Sequence, residues 1–390
     1  MSEPLDLKEQ IFLLDKLPGF YKTLSSNSLN GFNYTNDDSN FKSPRNSFQV
    51  IKDIPEYFEL EYKQLPKNIK HVTVEQYPGF SISFEGINDV NDYLKTRFGN
   101  SSRYKLRRSI KKLEASFDIK YKMYYGEMSK EEYDFIFKKF FRLLELRSIE
   151  KGILDNINIK RSDYFYKKFY PLILQKRASL FVIYNGDNPI DICLNYHNNS
   201  IVYQFIRTYD IAYSKFNTGY IDLIKQIEWC INNNIDFIDF SFGTYYWKKR
   251  WCNTSYKHNY HIFYNSKSLL SIIKSKVYVS KIKIKHVLRE RGLIDKYHVK
   301  KQKLKNTIKP LKKTEIKISN IDFNVEVNIG DEINIYETEH HFIKKTVYDF
   351  LFNFNANEKD IKVYEVLDTS NKYLIIGNEN KVIIDAIFNS

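Results

Sequence analysis

The sequence predicts an α/β protein of the α+β kind, built on a mixed, mostly antiparallel sheet flanked by helices. Three features predict it. The runs SLFVIY (179–184), PIDICLNY (189–196) and IVYQFI (201–206) are separated by Asn-Gly-Asp-Asn and Asn-Asn turns, connections short enough for an antiparallel meander. A helical pattern from Thr218 to Asn232 then leads into IDFIDFSF (235–242), which is a crossover between strands. That last run is apolar on both faces and so belongs at the centre of a sheet.

Along the chain, residues 1–91 form an N-terminal α/β region in which FQVI (48–51), HVTVEQY (71–77) and FSISFEG (80–86) read as strands, with turn signals at Asn30-Gly31 and Pro78-Gly79. Ser101 and Ser102 then cap a helix in which Leu106, Ile110, Leu113 and Phe117 recur every three or four residues. Alternation at Ile119, Tyr121, Met123 and Tyr125 predicts a strand. Ser129 and Glu132 form a capping box ahead of a broad apolar stripe at Tyr133, Ile136, Phe137, Phe140, Phe141 and Leu144, so this helix packs on the sheet. A loop at 148–161 and a helix from Ser162 to Lys176 precede the meander. In the crossover helix, Tyr220, Ile221, Leu223, Ile224, Ile227 and Ile231 are apolar. From Lys267 the chain turns basic and helical, and from Thr314 it becomes acidic, with short β runs around a helix from His340 to Phe354. The expected units are therefore 1–91, a core domain at 92–265, a basic amphipathic segment at 266–313 and a small α+β domain at 314–390.

Composition narrows the class. No run of eighteen uncharged apolar residues occurs, and the N-terminal stretch is acidic where a signal peptide is basic, so a cytoplasmic protein is expected. Cys193, Cys230 and Cys252 are widely spaced without a C-x-x-C pair, which points away from a disulfide framework or a zinc ribbon. The net charge of +14 is concentrated: residues 267–313 hold sixteen Lys or Arg against Glu290 and Asp295, a surplus equal to that of the whole chain. Apolar residues at Leu269, Leu270, Ile272, Ile273, Val277, Ile282, Ile284, Val287, Leu288, Leu293 and Ile294 make this run amphipathic. It fits a solvated helical face first, contact with an anionic membrane or polysaccharide precursor second, and RNA third. His340 and His341 stand beside Glu337 and Glu339, but adjacent histidines point to different faces and no metal site is expected.

Two segments carry the chemistry. In YDIAYSKFNTGYIDLIKQIEWC (209–230), the turn Asn217, Thr218, Gly219 opens a helix whose free amides and dipole suit a phosphate, and Gly219 admits close approach. A glycine at a helix start is also an ordinary cap, and no G-x-G-x-x-G or Walker pattern is present. In IDFIDFSFGTYYWKKRW (235–251), Asp239 lies on a buried strand ahead of an exposed aromatic and basic cluster, Tyr245, Tyr246, Trp247, Lys248, Lys249, Arg250 and Trp251. The cluster suits a site as well as it suits a solvated rim, and Asp239 suits catalysis as well as a carboxylate tied to backbone amides.

The span from Tyr93 to Trp251 resembles the branch of the GNAT superfamily associated with cellulose and exopolysaccharide biosynthesis. RYKLRRSIKKLE (103–114) stands where that family has a basic R-x-x-L-R-R-x-x-x-x-L-E helix, and Arg147, Lys151 and Gly152 match its Arg and Lys-Gly. Phe216, Asn217, Thr218 and Gly219 stand at its Y-S-P-G turn, with only the glycine identical. Asp239, Phe240, Gly243, Trp247, Lys248 and Trp251 match D-F-x-x-G-x-x-x-Y-K-x-x-W, with Trp247 replacing the family's Tyr. The resemblance implies transfer of an acyl group from acetyl-CoA or another acyl-CoA to an amine in a ternary complex. It implies an oxyanion-stabilising amide near Arg207 and Thr208, and diphosphate binding at Asn217, Thr218, Gly219 and Tyr220. Asp239 or, second, Tyr209 would act as base, and Tyr245 or Tyr246 would protonate the leaving thiolate. Arg147, Trp247, Lys248 and Trp251 would bind a small-molecule amine or nucleotide-sugar acceptor. The reduction of the glycine-rich loop to one glycine leaves room for a donor bound differently or carried by an acyl carrier protein, and it also occurs in Fem-type transferases, which resemble two fused GNAT halves. That likeness implies a second possibility, an aminoacyl-tRNA donor for peptidoglycan bridges, with residues 1–91 as a degenerate first half. A non-catalytic binding protein of a polysaccharide pathway is the third.

Overall fold

A computed structural model describes residues 3–26, 33–36, 48–152, 157–243, 245–294, 296–297, 314–337, 342–367 and 369–388. The chain opens with strands β1 (Leu5–Asp6), β2 (Tyr21–Ser25), β3 (Asn33–Thr35), β4 (Phe48–Pro55), β5 (Glu59–Tyr62) and β6 (Ile69–Ser83). Helices α1 (Val90–Arg97) and α2 (Asn100–Ser116), strand β7 (Ile119–Tyr124), and helices α3 (Lys130–Glu150), α4 (Ile157–Lys160) and α5 (Ser162–Leu174) follow. The meander is β8 (Ala178–Asn185), β9 (Asn188–Asn198) and β10 (Ile201–Tyr209), and the crossover is a 3-10 turn at Ile211–Phe216, α6 (Thr218–Asn232) and β11 (Phe237–Phe242). Then come α7 (Tyr246–Trp251), β12 (Thr254–Asn265) and α8 (Leu269–Glu290). The last part is β13 (Thr314–Ile321), β14 (Ile329–Glu332), α9 (Lys344–Phe354), β15 (Lys362–Val366), β16 (Lys372–Ile376) and β17 (Lys381–Phe388).

Nine strands make the main sheet, in the order β1-β4-β12-β6-β11-β10-β9-β8-β7. Among the described residues, only β1 with β4 and β10 with β11 run parallel in this sheet; the other neighbours are antiparallel. Alternation sorts each strand between two faces. Leu180, Val182, Ile192 and Leu194 meet Phe137, Phe140, Phe169 and Leu172 of α3 and α5. Phe181, Ile183 and Cys193 point the other way, toward Leu113, Phe117 and Ile221 of the α2 and α6 side. The Ser129 hydroxyl accepts from the Glu132 amide at the start of α3, as the capping box requires.

Several expectations shift. Gly99, one residue ahead of the helix, is the N-cap of α2 in place of Ser101 or Ser102. Pro78 and Gly79 do not turn the chain: β6 runs through them and pairs with β12, and Gly79 is required because any side chain there would run into the Tyr256 ring. Residues before 92 share the main sheet through β1, β4 and β6. The C-terminal sheet, β13-β17-β16-β15-β14, shares a core with the central domain, where Tyr348 and Leu351 of α9 pack with Tyr213 and Phe216. Asn30-Gly31, His340, His341, Asp295 and the stretch 298–313 lie outside the described residues. Among the described residues no helix is long and apolar enough to cross a membrane, and the three cysteines are buried free thiols.

Candidate active site

The parallel pair β10 and β11 is joined only from Ile201 to Tyr203 and from Phe237 to Asp239. Beyond these residues each strand is irregular, β10 bulging between Gln204 and Ile206 against β9, and β11 shifting register between Asp239 and Phe242 against β6. Ser241, at φ 59°, completes the bend. The two strands therefore part at their carboxyl ends, the position at which open α/β sheets bind ligands. A cavity of about 420 Å³ opens there, lined by the end of β10, the start of α6, Arg147 in the last turn of α3, Lys151 at its C-cap, and Trp247 of α7.

The start of α6 forms one wall of this cavity. Asn217 takes the left-handed conformation (φ 60°), its Nδ2 donates to Ser109 Oγ (3.1 Å), and its carbonyl receives the amides of Tyr220 and Ile221. The amides of Thr218 and Gly219, the first two of α6, precede its repeating hydrogen bonds, which begin with Tyr220 and Ile221. A Cβ on Gly219 would sit 2.6 Å from Nη2 of Arg207, so the glycine makes room for that guanidinium against the first turn. Among the described residues, Thr208 Oγ1, Thr218 Oγ1 and Asp222 Oδ1 are buried without hydrogen-bond partners, and all three residues line the cavity.

Arg207 is held from below by two carboxylates. Its Nε and Nη2 donate to Asp191 at 3.1 and 3.0 Å, and Asp222 Oδ2 lies 3.3 Å from Nε. Gln226 donates to the same Asp222 oxygen at 2.9 Å. Burial pushes both carboxyls up, while the Arg207 charge pulls them down; Asp191 adds a further upward push on Asp222. Against burial, the two acids keep the Arg207 guanidinium protonated. The Tyr209 ring lies between two cations, 5.0 Å from the guanidinium of Arg147 and 5.2 Å from that of Arg207. Burial, then Arg147, lowers the Lys151 ammonium.

Of the residues singled out in the sequence, Arg147, Arg207, Thr208, Tyr209, Asn217, Thr218, Gly219, Tyr220 and Trp247 come together around this cavity. Asp239 does not line it. Its carboxylate accepts from Lys8 (3.0 Å), Tyr57 (2.6 Å), Tyr256 (2.6 Å) and the Ser241 amide (2.5 Å), and against burial the Lys8 ammonium holds it below the usual carboxylate range. An anion so fully engaged is a clasp between the N-terminal segment and β11, with no lone pair turned to the cavity. The cluster after Gly243 is also not uniformly exposed. Tyr245 and Tyr246 are, at 65% and 76%, outside the lining. Lys248 is buried and donates to the carbonyls of Phe240 (2.6 Å) and Phe242 (2.7 Å), which fixes the strand end, and burial lowers its ammonium to about 8. Trp251 is buried with its ring stacked on Tyr220 (5.5 Å) and its carbonyl taking the Tyr93 hydroxyl. Asp191 and Asp222 were not legible as site residues, although each carried a signal: a carboxylate inside an apolar strand run, and one on the apolar face of a helix.

No curated protein matches the chain. Solved structures aligning with part of it include a conserved protein of unknown function from Bacteroides thetaiotaomicron VPI-5482, 9% identical with a TM-score of 0.38, covering 56% of this chain and 70% of that one. FemX aligns at 10% identity and a TM-score of 0.38, over 56% of this chain and 73% of its own. The C-terminal domain (DUF2156) of a putative lysylphosphatidylglycerol synthetase from Agrobacterium fabrum aligns at 5% and 0.36, over 55% and 67%. Residues 100–249, which run from α2 into α7 and hold every residue lining the cavity, match the family model described as an acetyltransferase (GNAT) domain, and over this span the protein is GNAT-like.

Proposed function

We propose that the protein is an N-acyltransferase that takes an acyl group, acetyl being the simplest, from a coenzyme A thioester and passes it to an amine such as an amino sugar of a polysaccharide or envelope precursor. The observation that carries this is the opening between β10 and β11 at the N-terminus of α6, with Arg207 packed against Gly219. In this reading the amides of Thr218 and Gly219 and the side chains of Arg207, Arg147 and Lys151 hold the donor's diphosphate. A second hollow of about 170 Å³, sharing Asn217 and Tyr220 with the first and bearing Lys105 and Arg250, supports a donor with phosphate at more than one place. The edge of β10 past Tyr203, which β11 leaves unpaired, offers amides to the thioester carbonyl as charge develops on it. Trp247 bounds the acceptor side. Tyr209 lines the cavity and Asp239 does not, so as the new C–N bond replaces the C–S bond the amine's proton passes through the Tyr209 hydroxyl and water to the departing thiolate, and Asp239 stays a fixed anion.

Thermal-shift measurements with acetyl-CoA, longer acyl-CoA thioesters and free CoA test this. A donor at about one hundred times its Kd adds ~2.7 kcal/mol to stability, and Gly219→Glu, which puts a carboxylate where the diphosphate rests, abolishes the shift. Absence of a shift with every thioester overturns the reading. An aminoacyl-tRNA donor is the second reading, favoured by the single glycine, Gly219, that stands where a glycine-rich diphosphate loop would be. Strongly salt-sensitive tRNA binding without a thioester response selects it, and binding of neither leaves a non-catalytic role.

A further inference from the structure

Helix α8 turns one face to the sheet and leaves the opposite one open. Ser271, Ser275 and Ile282 are its buried residues, and Tyr278 and Val279 pack with Phe48, Val50, Val74 and Ile262. At 3.6 residues per turn the other side carries Leu270, Ile273, Val277, Ile284 and Val287, spaced by threes and fours through Ser280. These apolar side chains face solvent: Leu270 is 61% exposed, Ile273 57%, Val277 62% and Ile284 60%. Lys274, Lys281 and Lys285 border the stripe on one side, and Lys276 and Lys283 on the other. Glu290, the helix's one acid, pairs with His286 (3.1 Å) near its end.

We infer that this face of α8 lies on a membrane surface bearing anionic lipid. Charge decides between occupants. The stripe has the heptad spacing of a coiled coil, but four of the six positions flanking it, Lys274, Lys281, Lys276 and Lys283, are lysine, and the one acid among the six, Glu290, pairs with His286. A parallel pair of two copies would set Lys276 against Lys281, and an antiparallel pair centred on the stripe would set Lys281 against Lys281 and Lys283 against Lys283, so like charge opposes self-association in either direction. An anionic lipid surface satisfies both features at once: the apolar stripe enters the acyl boundary while the lysine stems reach outward to the headgroups on either flank. The buried serine side keeps the helix attached to the sheet, which would hold the whole protein at the surface.

Vesicle sedimentation with the full-length protein tests the inference. Vesicles of phosphatidylcholine with 30 mol% phosphatidylglycerol are compared with phosphatidylcholine alone. Binding is expected only to the anionic vesicles, weakening as salt rises from 0.1 to 0.5 M. Lys276→Gln and Lys283→Gln each reduce partitioning about fivefold, and Ile273→Asn with Val277→Asn reduces it at least about tenfold. Because these side chains are exposed, the variants keep the parent's melting temperature and circular dichroism, which separates loss of binding from loss of fold. Equal binding to both vesicles, or binding to neither, overturns the inference. A dimer in solution that Ile273→Asn dissociates also overturns it, by assigning the stripe to a second copy.

Discussion

Arg207 is the residue on which the cavity turns, because it is the cation shared by two buried acids and the group that rests on the helix start. Replacing it with methionine keeps much of the volume but leaves Asp191 and Asp222 facing each other without a counter-charge. We expect Arg207→Met to cost ~3 kcal/mol or more, read as a lower urea midpoint; a loss below ~1 kcal/mol would mean that one acid is already neutral and the triad matters less than its geometry suggests. At this scale the sequence was half legible. Gly219 stood out because a lone glycine at a helix start has a local meaning. The role of Asp239 did not, because Lys8, which holds it, lies 231 positions away. Asp191 and Asp222 are hidden for the same reason: what they bind becomes visible only when β9, β10 and α6 are stacked.

Elements were far more legible, since periodicity and caps are local properties. The meander, the crossover helix and the central strand β11 fall where alternation and the 3.6-residue pattern put them. Helix α3 depends on its cap in a way that can be measured. Ser129→Ala removes the hydroxyl that receives the Glu132 amide (3.1 Å) and is expected to lower stability by about 1 kcal/mol, while Ser129→Asp keeps it; equal melting temperatures for the two variants would count against the cap. Misplacements among elements have tertiary causes. Pro78-Gly79 reads locally as a turn, yet the Tyr256 ring from β12 needs the space a side chain would take, and that space is what selects glycine within a continuous strand.

For the whole molecule, pH is a direct probe of burial. Burial holds His197 and His258 down to about 3 and His261 down to about 4. In the unfolded chain these rings take up protons near pH 6.5, so they contribute stability above that value and lose it as pH falls toward the folded values. Three such groups give a slope of about 4 kcal/mol per pH unit at its steepest, and urea midpoints measured from pH 7 to pH 4 should fall accordingly; a flat profile would place these rings in contact with water. Changes of composition along the chain are easy to see, but packing runs across them. Lys344 of α9 donates to Asp210 at 3.0 Å, and Asp210 in turn caps the 3-10 turn that delivers Asn217 to α6. The consequence concerns synthesis. A chain interrupted after Lys313 would carry every residue of the cavity and still leave Tyr213, Phe216 and a bare Asp210 exposed where α9 should sit, so the turn that delivers Asn217 gains its full support only once the final fifth of the chain has folded back.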